Sequence, residues 1–121
     1  VTTNLRPAEF DLTQRKQRPL VPPSATPIKP EEILTRNHII HISDDKKVVY
    51  GLWECEPGTS RWEYEDRQEM IYVLAGKMTV QEDGGDPVEL TPGMSAAFPV
   101  GWRGTWDVHE TFKKIYVVVR P

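Results

Sequence analysis

Between Gly58 and Gly76 the chain concentrates side chains able to donate, accept or stack. The run Arg61-Trp62-Glu63-Tyr64-Glu65-Asp66 is followed by an acid at Glu69, in the pattern Gly58-x10-Glu69-x6-Gly76. A second block reads Gly93-x5-Pro99-x-Gly101 and continues Trp102-Arg103-Gly104-Thr105-Trp106. Carboxylates and phenols are the groups of general acid–base chemistry, guanidinium forks grip carboxylates, and indoles either stack planar ligands or fill cores. On an extended strand alternate side chains share a face. Trp62 and Tyr64 therefore point one way, and Arg61, Glu63 and Glu65 the other. By the same rule Trp106 and Val108 follow Gly104, opposite Arg103, Thr105 and Asp107. Other chemistry is thinly supplied. Cys55 is the lone cysteine, which excludes an internal disulfide, a CxxC pair and a thiolate zinc cluster, and reads as a small buried residue. His38 and His41 fall on opposite strand faces and read, like the pair Lys113-Lys114, as solvated or edge residues.

The elements that must carry these side chains follow from composition and punctuation. The 121 residues suit one domain, long enough to fold without a metal or a disulfide. A net charge of −3 argues against nucleic acid and anionic membranes as partners. No apolar run approaches a membrane span, and Val1-Thr2-Thr3-Asn4 does not read as a signal peptide, so with a lone thiol the cytoplasm is the expected compartment.

Six of the eleven prolines precede residue 31. Proline removes backbone donors, so residues 1–35 are expected as an extended N-terminal arm outside the centre of any sheet. Phe10, Leu12, Leu20 and Val21 are its possible anchors on a partner subunit, and Pro30-Glu31-Glu32 suits the first turn of a short helix. Residues 36–121 read as seven to nine short strands separated by Gly/Pro turns, with Asp83-Gly84-Gly85-Asp86 as a hairpin turn. No long amphipathic helix competes. The fold class is all-β, a small sandwich or barrel whose core can use Trp53, Trp62, Trp102 and Trp106.

The two punctuated blocks resemble the cupin superfamily, a jelly-roll β-barrel with motifs G-x5-H-x-H-x3,4-E-x6-G and G-x5-P-x-G-x2-H-x3-N. The tail Glu69-Met70-Ile71-Tyr72-Val73-Leu74-Ala75-Gly76 and the head Gly93 to Gly101 match, over roughly residues 48–119. Trp53-Glu54-Cys55, Pro57-Gly58, Arg61-Trp62 and Phe98 to Trp106 are similar to the single-domain cupins of the ureidoglycine aminohydrolase subgroup. Most cupins hold a divalent metal on three histidines and a carboxylate. Here the carboxylate stands as Glu69, while the first motif's histidine positions fall on Trp62 and Tyr64, or on Tyr64 and Asp66, with Glu63 as an alternative if a residue is inserted. The second motif's histidine position is Gly104 and its asparagine position is Val108. The resemblance therefore implies no tight metal centre and no cofactor, with at most a weakly held divalent ion.

The function expected is binding of a small polar molecule in the barrel, by a homodimer. If the protein is catalytic, the resemblance implies metal-independent hydrolysis or isomerisation of a ureide-like or carbohydrate-derived compound. Glu69 and Tyr64 are then the acid–base groups, with Trp62, Glu63, Arg61, Trp102, Arg103, Gly104 and Trp106 around the ligand. A non-catalytic sensing module is the alternative, and a metal-dependent dioxygenase or isomerase is disfavoured by the absent histidines.

Overall fold

A computed structural model describes residues 1–21 and 24–121. Its strands are β1 (Arg18–Pro19), β2 (Ala25–Lys29), β3 (Leu34–Ile42), β4 (Val48–Cys55), β5 (Gly58–Glu63), β6 (Gln68–Glu82), β7 (Val88–Leu90), β8 (Ser95–Phe98) and β9 (Arg103–Val119). A single 3-10 turn, Pro7–Glu9, is the helical element among the described residues. The fold is the all-β small barrel expected of a cupin.

Two long strands organise it. β9 pairs antiparallel with β6 along nearly its whole length, from Gln68↔Val119 to Glu82↔Gly104. Its other edge is shared: β5 takes residues 103–108 and β4 takes residues 112–119. The outer edge of β6 is divided likewise between β8 and β7. The result is two sheet halves, β1-β3-β4-β9-β6-β8 and β2-β5-β9-β6-β7, joined where β6 and β9 bend together. The bend falls at register shifts between Val73 and Met78, centred on Gly76. Gly76 has φ +83°, and a Cβ there would run into the carbonyl of Thr111, so only glycine lets the strands approach this closely. The sequence reads four short strands, Met70–Ala75, Lys77–Gln81, Gly104–Val108 and Lys114–Val119; the structure joins them into β6 and β9.

Alternation places one face of each half inside. Val49, Trp53, Lys114, Tyr116, Val118, Glu69 and Ile71 face inward from the first half; Trp62, Trp106, Val108, Met78 and Val80 from the second. The turn Asp83-Gly84-Gly85 closes β6 onto β7 as the sequence predicts. The N-terminal residues contribute edges: β1 pairs with β3 and β2 with β5. The expected helix after Pro30 does not form. Buried Ile33 accepts a hydrogen bond from the Leu20 N–H through its carbonyl, and β3 begins at Leu34, so sheet pairing takes the segment that local first-turn preferences would make helical.

Candidate functional site

An open cavity of about 350 Å³ lies between the two halves. β3 and β4 supply Asn37, Ile39, Val49 and Trp53; β9 supplies Lys114, Tyr116 and Val118; Trp62, Tyr64, Arg67 and Glu69 come from β5, the following turn and β6, with Ser24 and Arg120 at the margins. Burial grades the lining. Tyr64, Glu69 and Lys114 are 1–4% exposed, whereas Arg67 and Arg120 are half-buried at the mouth.

The deep end is one hydrogen-bonded array. Tyr64 donates its hydroxyl to Glu69 Oε1 at 2.5 Å, and the Lys114 ammonium donates to Oε2 at 2.7 Å. Both oxygens of the carboxylate are thus satisfied at a site where an unpaired charge would be costly. The Lys114 ammonium also lies 4.2 Å from the Trp53 ring centroid and 4.6 Å from that of Trp106, with Trp62 and Tyr116 at 5.7 Å, so aromatic faces replace most of its lost hydration. Burial pulls the ammonium below its ordinary pKa range while the Glu69 charge opposes that shift. Burial, reinforced by Glu69, pushes the Tyr64 phenol well above its usual value, and the Arg67 charge acts in the opposite direction. Tyr64 therefore keeps its proton at neutral pH. Beside it, Tyr116 donates to Asn37 Oδ1 at 2.8 Å.

Local structure explains why Tyr64 is held so firmly. The turn after β8 grips its backbone on both sides: the Tyr64 N–H donates to the Trp102 carbonyl and the Gly101 N–H to the Tyr64 carbonyl. Phe98 stacks on the Tyr64 ring at 5.6 Å, and Trp102 meets both rings edge-on. Trp62 stacks on Trp106 at 3.7 Å and continues the aromatic column to Tyr64. The Nε1 of Trp106 has no acceptor among the described residues, so ring contacts alone hold that indole.

Trp62 and Tyr64 face inward, which settles the register of residues 61–66 and leaves Glu63 outside. The remaining expected site residues divide sharply. Tyr64, Glu69 and Trp62 line the cavity; Trp106 and Trp102 lie behind it as packing. Arg61 lies on the outer face, gripping both oxygens of Asp83 at 2.6 Å and contacting Glu63 at 3.4 Å. Arg103 is exposed and pairs with Glu65 at 3.1 Å. Gly104 is no emptied space, because a Cβ there would meet the carbonyl of Gln81 and the Trp102 ring. Lys114, expected to be solvated with Lys113, is instead the buried cation of the site. Lys113 faces the other way and donates to the Phe10 carbonyl, so the N-terminal segment buries it. Arg67, Arg120, Tyr116 and Asn37 also went unassigned from sequence, and Trp53 was read as core rather than site, since their convergence depends on strand register.

The donor set does not fit the metal of the wider cupin superfamily. None of the three histidines lines the cavity, and no cluster of three or more His, Cys, Asp or Glu occurs among the described residues. The Lys114 ammonium on Glu69 Oε2 places a positive charge where a metal would need the carboxylate.

Comparison with known proteins agrees with this architecture. The profile of the EutQ-like cupin domain matches residues 42–116. The chain belongs to the EutQ-like cupin family. The EutQ protein of Clostridium difficile has a similar structure, with TM-score 0.61 and 20% identity over 73% of this chain and 69% of that one. Ectoine synthase from P. lautus gives TM-score 0.62 at 18% identity, over 78% and 69% of the respective chains. A DUF861 family protein from Thermotoga maritima is 34% identical over 54% of this chain and 73% of its own, with TM-score 0.50. No curated protein sequence matches the chain at a significant level. For this EutQ-like cupin, the first two likenesses establish the fold and nothing about the ligand.

Proposed function

We propose that this EutQ-like cupin binds a small polar molecule in its barrel and acts on it by metal-independent acid–base chemistry. The Tyr64–Glu69–Lys114 array at the deep end of an open cavity carries this reading. A buried carboxylate that links a phenol to an ammonium is a proton path with a donor at each end. Tyr64 can donate its proton to a leaving or developing oxyanion, Glu69 can take up a proton, and Lys114 supplies fixed positive charge beside both. The indoles of Trp53 and Trp62 give a planar ligand an apolar wall. Resemblance to the ureidoglycine aminohydrolase subgroup favours hydrolysis or isomerisation of ureides or sugar-derived compounds.

The test is a screen of ureides and sugar acids by tryptophan fluorescence, followed by product analysis of each hit. We expect Glu69→Gln to lower turnover by about 10²- to 10⁴-fold, the usual contribution of a positioned acid or base, with weaker effects on binding. Binding without turnover by the unaltered protein would assign the barrel to sensing instead.

A further inference from the structure

Of the eight arginines, Arg6, Arg15 and Arg18 lie in the N-terminal segment without an ion pair among the described residues, and three others are tied to acids. Arg36 is held by Glu54 and Glu56, Arg61 by Asp83 and Glu63, and Arg103 by Glu65. The two that line the cavity differ. Arg67 has only a long contact, 3.4 Å, with its exposed neighbour Asp66. Arg120 has no acidic partner within ion-pair distance among the described residues.

Their placement sharpens the contrast. Gln68↔Val119 is the last pair of the β6–β9 ladder, and Arg67 and Arg120 are the residues immediately beyond it on the two strands. Both have the parity of the inward residues Glu69 and Val118, and both line the cavity mouth. Like charges gathered at the ends of neighbouring strands repel one another unless something of opposite charge lies between them. Three cationic side chains and a single carboxylate line the cavity, although the chain as a whole carries −3. The field at the mouth is therefore positive against an acidic surface, an arrangement that concentrates anions.

Taking the binding of a small molecule in this cavity as its premise, we infer that the ligand is a small organic anion whose carboxylate sits between Arg67 and Arg120. Its body lies along Trp53 and Trp62, and its reacting end meets Tyr64 and Glu69. A cavity of about 350 Å³ holds on the order of ten non-hydrogen atoms, taking the ~30 Å³ that one water occupies in the liquid. The guanidinium forks give two-point contacts that an uncharged amide of the same shape does not satisfy.

Matched pairs of probes test this: benzoate against benzamide, gluconate against glucose, and allantoate against allantoin. Each is titrated into the intact protein while the four tryptophan indole N–H resonances are followed by NMR. We expect at least one acid to shift those resonances and to bind about tenfold or more tightly than its neutral counterpart. That preference should vanish in Arg67→Gln/Arg120→Gln and weaken as added salt screens the half-exposed guanidiniums. The double variant should fold, because it relieves like-charge repulsion; a melting temperature at or above that of the parent protein checks this. Equal binding of acid and amide, or a preference that survives the double variant, would overturn the anion assignment and leave the cavity itself standing as a binding site. No response to any probe would remove the cavity reading and the anion assignment with it.

Discussion

Glu69 and Lys114 stabilise each other at the cost of desolvating both, and that balance can be measured. Lys114→Met leaves a carboxylate that is 4% exposed with Tyr64 as its remaining partner, and breaking a buried pair costs about 3–5 kcal/mol. Glu69→Gln/Lys114→Met removes both charges and should recover most of that loss, since a neutral amide replaces the stranded carboxylate. Urea unfolding of the two variants decides: equal instability would show that the residues are not coupled. Cys55 sets a second expectation. Burial pushes its thiol from an ordinary 9.0 up to about 12, so between those values the unfolded chain loses a proton that the folded chain keeps. Stability should therefore fall as pH rises from about 9 toward 12. Tyr64 and Tyr116 add to the fall above pH 10, their pKa values also being raised by burial, while Lys114, shifted downward, works against it. Cys55→Ala should fall less steeply over that range; an unchanged pH profile would place the thiol in contact with water. The sequence already held a sign of Lys114's role. It shares strand parity with Phe112, Tyr116 and Val118, an apolar face, but the adjacent Lys113 made the pair look solvated. Arg67 and Arg120 gave no such sign, because they reach the same cavity only where the β6–β9 ladder ends.

Among the elements, β6 and β9 set the shape of the barrel, and Gly76 sets their bend. Gly76→Ala combines a left-handed backbone with a collision against backbone atoms of Thr111 and Phe112, so a loss of about 3 kcal/mol or more is expected. Gly84 has nearly the same φ, +78°, but open space around it, so Gly84→Ala should cost only about 1 kcal/mol. Thermal unfolding of the two variants separates conformational strain from crowding, and equal losses would mean that the close approach at Gly76 does not matter. Strand positions and the Asp83-Gly84-Gly85 turn were legible because alternation and glycine act locally. The continuity of β6 and β9 was not, since a glycine inside a bent strand reads like a break. β1 and β2 were hidden for a related reason: proline-rich segments can pair only at sheet edges, where one side needs no donor.

For the whole molecule, the N-terminal residues fold onto their own barrel. Leu12 and Leu20 are buried, Phe10 stacks on His38 at 4.4 Å, and the Phe10 carbonyl accepts the Lys113 ammonium. Val21, the fourth expected anchor, is exposed. No helix among the described residues is long and apolar enough to cross a membrane. An acidic chain, with net charge −3, encloses a cavity lined by three cationic side chains and one carboxylate. At the centre lies Glu69, whose two oxygens are occupied by a phenol and an ammonium. The most direct test is elemental metal analysis of tag-free protein dialysed against chelator, followed by ligand titration of the same sample. We expect metal far below one ion per chain with ligand binding retained. A firmly held, near-stoichiometric metal whose removal abolishes binding would contradict the Tyr64–Glu69–Lys114 array as the working centre of the barrel.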